Sequence, residues 1–151
     1  LDGTRAWAND ELRGIQRSKV KMIHLEIDEV PPSPNELRRE YRHPQSYRRL
    51  RTAWEWMILA APCATHRALL KNAARTNKMH VEVTIYHKKA YDPDNLAGSL
   101  KPVLDALKNV GFIKDDSAKS IELVPPKQVI GKIEKTLIRI GPIEKEKEDA
   151  A

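Results

Sequence analysis

Residues 80–116 read HVEVTIYHKKAYDPDNLAGSLKPVLDALKNVGFIKDD: a strand pattern, a polar turn and an amphipathic helix pattern in succession. Val81, Val83 and Ile85 alternate with Glu82, Thr84 and Tyr86, the period of two that marks a half-buried strand over His80–His87. Lys88-Lys89-Ala90-Tyr91 then delivers the chain to Asp92-Pro93-Asp94-Asn95, so acidic side chains leave the end of a rigid element. Gly98 and Pro102 weigh against one helix running unbroken from Asp94 to Val110. A start with Ser99 as N-cap puts Pro102 in the first turn, where its missing N–H breaks no hydrogen bond, and leaves Asn95 to Gly98 as a loop. Leu100, Val103, Leu104, Leu107 and Val110 form the apolar face of that helix, Lys101, Asp105 and Lys108 the polar one. Gly111 ends it as a left-handed residue, and Asp115-Asp116 follows.

Upstream, Ile23, Leu25 and Ile27 alternate with His24, Glu26 and Asp28 in a first strand over Met22–Asp28. Val30-Pro31-Pro32-Ser33-Pro34-Asn35 reads as a rigid extended loop, because three prolines remove backbone donors. An arginine-rich loop leads to Pro44, which suits the first turn of a helix. Tyr47, Leu50, Trp54, Met57 and Ala61 recur at helical spacing until Pro62 ends that helix, and Thr65 is placed to cap a second, with Leu69, Leu70 and Ala73 inward. Downstream, Ile121 and Leu123 mark a short strand, Pro125-Pro126 a turn, and Val129–Ile140 a longer strand. Its apolar alternation changes phase, which predicts a bulge near Glu134–Thr136 or burial of both faces. The pattern as a whole predicts one α+β domain over residues 22–143, a mixed sheet of about four strands with helices on one face. Residues 1–21 read as a flexible extension and residues 144–151 as a disordered charged tail.

The 151 residues suffice for one core without covalent staples. Cys63 is the single cysteine, so no intrachain disulfide is available; a buried, inert thiol in a reducing, intracellular, cytoplasmic setting is the expectation. The longest apolar run, around Trp56–Ala61, is broken by Pro62 and falls far short of the roughly 18 residues of a membrane span. No secretory signal pattern opens the sequence. With 27 Lys+Arg against 21 Asp+Glu and a net charge of +6, a polyanionic partner is favoured. The positive charge is uneven: Arg38, Arg39, Arg42, Arg48, Arg49 and Arg51 share one segment in which Glu40 is the only counter-charge. Such a run is either a solvated face or a phosphate-binding surface.

Asp92 and Asp94, two apart and spaced by Pro93, project to one side of an extended segment and can share a cation; the same D-x-D-N also suits an Asx-turn or helix cap. It does not continue as a calcium-binding loop, because position twelve is Val103. The five histidines show no metal-ligand spacing, and His80 and His87 read as strand-end surface residues. Asp115-Asp116 meets the first pair only if the chain after Gly111 folds back beside the strand that carries Asp92, since a helix of about 11 residues separates its ends by roughly 16 Å. Lys101, near a helix N-terminus, is placed either to contact a phosphate oxygen or simply to face solvent.

Taken together, Asp92-Pro93-Asp94-Asn95, Lys101, Asp105-Ala106-Leu107, Gly111 and Asp115-Asp116 resemble the signature D-x-D-N, K, D-A-L, G, D-D of RusA-type Holliday junction resolvases. Pro31-Pro32-Ser33-Pro34-Asn35 is similar to the P-P-S-x-N segment of that family. The likeness spans Met22 to about Ile140, with Ala97-Gly98-Ser99 extra relative to the shortest family form. It implies a homodimeric endodeoxyribonuclease of DNA recombination and repair, acting on branched DNA, chiefly four-way junctions, with Mg²⁺ or Mn²⁺ as cofactor. It further implies that Asp92, Asp94 and Asp116 bind the metal, with Asp115 a further candidate, and that Lys101 assists. Arg38, Arg39, Arg42, Arg48, Lys88 and Lys89 are the candidate DNA contacts. A DNA-binding module without activity and a less selective nuclease are the competing readings.

Overall fold

The computed structural model describes residues 22–143; the expectations for residues 1–21 and 144–151 lie outside the described residues. Strand β1 (Ile23–Ile27) precedes helices α1 (Pro34–Glu40), α2 (Pro44–Ala60) and α3 (Ala64–Thr76). Strand β2 (Met79–His87) follows, then α4 (Pro93–Gly98), α5 (Lys101–Val110), β3 (Ile121–Leu123), β4 (Lys127–Ile130) and β5 (Lys135–Pro142). The fold is α+β with a mixed sheet of five strands rather than about four.

β5 lies between β1 and β2, antiparallel to both, with Leu25 beside Ile138 and Ile138 beside Val83. On the other edge of β2, β3 runs parallel to its first half, Met79 opposite Ile121, and β4 parallel to its second half, Thr84 opposite Lys127. Pro125-Pro126 divides these two short strands because neither proline can donate to the ladder. The phase change expected to reflect a bulge in one long strand is instead a real break: Gly131–Glu134 separates β4 from β5.

One face of the sheet is apolar. Leu25, Val81, Val83, Ile85, Ile138 and Ile140 pack there against Trp54 and Ile58 of α2, Leu70 of α3, and Val103 and Leu107 of α5. Each full burial of a Leu or Ile side chain contributes about 1.5–3 kcal/mol, and this shared core fixes the helices on that face. The other face is polar: Arg139 and His80 both bind Glu82, at 2.7 and 3.2 Å, His80 also reaches Glu122 at 3.1 Å, and Lys135 pairs with Glu26 at 3.1 Å. His80 is therefore held by two carboxylates on the sheet face, and His87 is buried, so neither is a free surface histidine.

Three other local expectations are corrected. The segment after the prolines is not loop: Ser33 caps α1 by accepting from the Glu36 N–H, and Pro34 takes the first helical position, where a missing donor costs nothing. Arg38 and Arg39 thus sit in the last turn of a helix, where their charge complements its negative end. Cys63, not Thr65, is the N-cap of α3, its thiol accepting from the His66 N–H at 3.5 Å, and it is exposed rather than buried. Asn95–Gly98 is helical, and Ser99 is the C-cap of α4 rather than the N-cap of α5: its buried hydroxyl donates to the Leu96 carbonyl at 2.7 Å. The chain breaks between α4 and α5 for two residues only, Ser99 and Leu100, after which Pro102 enters the first turn of α5 as expected and Gly111 closes it at φ 87°.

Candidate active site

The D-x-D-N segment begins α4 at the carboxyl end of β2. Asp92 is the N-cap: its carboxylate accepts from the Asn95 backbone N–H at 2.8 Å and from the Asn95 side-chain amide at 3.1 Å. Pro93 starts the helix and Asp94 stands in its first turn, so both carboxylates face the positive end of the helix dipole. Both are exposed to solvent, and the capping geometry leaves lone pairs on each. Capping and cation binding are thus both open to this pair.

The approach to Asp92 is held by Gln128 of β4. Its side-chain oxygen accepts from the Tyr91 N–H at 3.0 Å and meets His87 Nε2 at 2.8 Å, while its amide donates to the Tyr91 carbonyl at 2.7 Å. The Tyr91 ring stands edge-on to His87, centroids 4.7 Å apart. These contacts fold the chain back against the sheet directly before the acids. No sequence signal marked Gln128, because its role depends on strand pairing between residues far apart in the chain.

A groove of about 1080 Å³ opens beside Asp92, between the proline segment, α1, α2 and the end of β2. Asp92 and Asn95 line it together with Arg39, Lys88 and Lys89, and Leu50, Ala53 and Met57 form its apolar wall. Glu29, Glu36 and Glu134 line it as well. Burial, with a contribution from Glu36 and Glu134, raises the Tyr91 hydroxyl above its ordinary value. A groove this rich in carboxylates accepts a phosphate only where cations, protein-borne or bound, offset the repulsion.

Gly98 sets how closely α4 approaches the start of α1. A Cβ built at that position would lie 2.7 Å from Cγ of Pro34, so α4 and the proline segment approach as closely as they do because residue 98 is glycine.

Lys101 is the first residue of α5, one short helix of roughly 9 Å beyond Asp92. It does not line the groove; its ammonium lies 5.6 Å from the centroid of the Tyr47 ring. The Tyr47 hydroxyl donates to Asp105, one turn further along α5. Partial burial and that carboxylate both push the phenol of Tyr47 well above its usual range. Arg38, Arg42 and Arg48 are exposed outside the groove.

Asp115 and Asp116 lie elsewhere. The Asp115 carboxylate accepts from the Ser117 N–H at 2.7 Å; hydrogen bonding from the Ser117 side chain, and then from that N–H, holds it below the usual carboxylate value. Ser117 opens the turn that enters β3, and β3 starts beside Met79, at the amino end of β2. The expected pairing of this strand with β2 is present, but in parallel, so the D-D arrives at one end of β2 while Asp92 leaves the other. The eight residue steps from Met79 to His87 span roughly 26 Å. Among the described residues, no group of three or more His, Cys, Asp or Glu side chains is placed to hold a metal ion. Asp92, Asp94 and Asp116 therefore do not form such a group within one chain. Two carboxylates fit Mg²⁺, which commonly takes one or two from protein and completes its shell with water and substrate phosphate.

Among the described residues, no helix is long and apolar enough to cross a membrane. No protein-family model matches the chain, and no curated protein matches it. Fold and site define an α+β protein in which Asp92, the N-cap of α4, lines a groove shared by Arg39, Lys88 and Lys89 and by three glutamates, while Asp94 stands in the first turn of that helix, outside that lining.

Proposed function

We propose that the protein is a Mg²⁺-dependent, structure-selective endodeoxyribonuclease that resolves four-way DNA junctions by paired nicks. The observation that carries this reading is the groove that sets Asp92, in its D-x-D-N, beside Arg39, Lys88 and Lys89 at the end of β2. The likeness of the motif residues to RusA-type resolvases supports the substrate class. Asp92 and Asp94 would hold the cation, with Asn95 fixing the Asp92 carboxylate through its two hydrogen bonds. When bound, such an ion supplies a nucleophilic water at neutral pH and charge stabilisation for the leaving oxygen. Arg39, Lys88 and Lys89 would hold the phosphodiester backbone without reading bases. Lys101, which the resemblance assigns to assisting the metal, stands outside the groove and would neutralise phosphoryl charge.

The separation of Asp116 from Asp92 gives the proposed homodimer a purpose. Related by a two-fold axis, one protomer presents the D-D end of β2 where its partner presents the D-x-D-N end, and each site is completed in trans. Such a dimer matches a four-way junction, which offers two equivalent strands.

The capping role of Asp92 favours a second reading, a branched-DNA-binding module in which the acids are structural. Asp92→Asn separates the two, because asparagine caps a helix as well as aspartate but carries no charge. Loss of Mg²⁺-dependent junction cleavage by D92N, with junction binding kept, supports the nuclease. Wild-type protein that binds junctions but leaves them intact with Mg²⁺ or Mn²⁺ establishes the binding module, and equal cleavage of linear duplex or RNA establishes a less selective nuclease.

A further inference from the structure

We propose that Trp56, on the outer face of α2, is a stacking platform for an unpaired nucleobase at the rim of the active-site groove. This rests on the nucleic-acid reading above and adds to it a residue that meets the base rather than the backbone.

Trp56 is 70 % exposed, the highest exposure among the large hydrophobic residues of the described chain. Trp54, two positions earlier, is buried in the core, so the helix needs only one of its two tryptophans for packing. Of the neighbours of Trp56 on the helix surface, Thr52 one turn before, Ala53 three residues before and Ala60 one turn after are small and exposed, and Leu59 three residues after is half-buried against the core. Most of the Trp56 surface is left in water. An indole left in water forgoes the burial that stabilises its kind elsewhere, and Ala or Lys would serve a purely helical role at that position better.

The surroundings select the class of partner. Arg49 lies on the same stripe two turns earlier, about 10.5 Å along the axis, and Arg48 is its neighbour; both are exposed. Glu55 is the sole carboxylate of α2, and it points to another side, where it binds Arg51 at 3.2 Å and Asn109 at 3.5 Å. A flat aromatic with cations along its stripe and no acid among them is the composition that binds single-stranded or unstacked nucleic acid: the ring takes the base and the cations take the phosphates. The position also fits the chemistry. Ala53, on the same side of α2 as Trp56, lines the groove that contains Asp92. A base displaced at a branch point would therefore stack on Trp56 while the backbone beside it enters the groove.

The test uses the full chain and two DNA probes, each carrying the fluorescent base 2-aminopurine: a short single strand, and a four-way junction with the analogue at the branch point. Wild-type protein is expected to quench both, Trp56→Phe to retain most of the quench, and Trp56→Ala to lose it and bind the single strand between about fivefold and 150-fold more weakly. Circular dichroism of both variants should match the wild type, as the side chain is exposed. Quenching unchanged in W56A overturns the proposal. So does a W56A protein that loses only self-association in sedimentation, which would assign the ring to a contact between copies. Trp56-dependent quenching of the single strand by a protein that cuts no junction would leave the platform standing and remove the resolvase reading.

Discussion

Tyr47 of α2 donates its phenolic hydrogen bond to Asp105 of α5, joining two side chains that are 58 residues apart in the sequence. Four residues before Asp105, Lys101 lies over the same ring. The phenol thus clips α5 to α2 and fixes the environment of Lys101, the lysine proposed to meet phosphate. Tyr47→Phe keeps the ring and the lysine contact but leaves the part-buried Asp105 without its donor. The expected cost is about 1–2 kcal/mol in urea unfolding. Tyr47→Ala removes the platform for Lys101 as well, and its cleavage rate should fall below that of Tyr47→Phe.

Gly98 carries a different kind of constraint. Its missing side chain admits the Pro34 ring, which cannot swing away as a long chain would. Gly98→Ala is expected to destabilise the fold by about 1–3 kcal/mol, the usual cost of overpacking, although alanine is the better helix former. Since α4 must move to relieve the clash, junction cleavage should drop by more than the fraction unfolded accounts for. A G98A protein of wild-type stability and activity would show that the contact is not limiting.

These relationships explain which parts of the fold were legible in the sequence. Period-two alternation located β1 and β2, and helical spacing of Tyr47, Leu50, Trp54 and Met57 located α2, because burial on one face writes itself into the pattern. Gly111 was readable because a left-handed helix end needs glycine. What failed were choices between two locally permitted states. Ser99 is a good N-cap in isolation, but burial of the segment turned its hydroxyl to Leu96. Three prolines suggested loop, yet one of them occupies the position where proline starts a helix. The acids could be named as candidates from the sequence, but their distance could not, because it depends on β3 pairing parallel to β2 at its amino end.

Arg39 and Lys88 line the groove while Arg42 and Arg48 do not, so their contributions to DNA binding should differ in kind. Removing one cation from a phosphate lowers the slope of log affinity against log salt by about 1. Arg39→Ala and Lys88→Ala should each do so on a four-way junction and also slow cleavage. Arg42→Ala should alter the slope without altering the rate once the junction is saturated. Fluorescence anisotropy from low to moderate salt measures the first effect and single-turnover cleavage the second.

Glu82 on the polar sheet face sets an acid limb for stability. Its hydrogen bond with His80, helped by Arg139, holds its carboxyl below the ordinary value of 4.5. A carboxyl lowered on folding contributes stability above its unfolded value and loses it as pH falls through the lower folded value. Wild-type protein should therefore exceed Glu82→Gln in urea midpoint above pH 4.5, and the gap should close as pH falls below it. A gap constant down to pH 3 would mean that the charge of Glu82 is not what the network uses.

The proposed trans arrangement of the acids makes the most discriminating prediction. Asp92→Asn and Asp116→Asn should each abolish cleavage when present in both protomers. In a mixed dimer, the site that takes Asp92 from the D116N chain and Asp116 from the D92N chain is intact, while the other lacks both acids. Random exchange at equal amounts makes half the dimers mixed, each with one good site, so activity should return to about a quarter of the wild-type site concentration. Because each mixed dimer has a single working site, its product should be singly nicked junctions rather than resolved duplexes. If Asp92 and Asp116 served the same chain, mixing would restore nothing, since every site would lack one acid. Recovery of nicking on mixing two inactive proteins would thus establish both the dimer and the division of the site between its protomers.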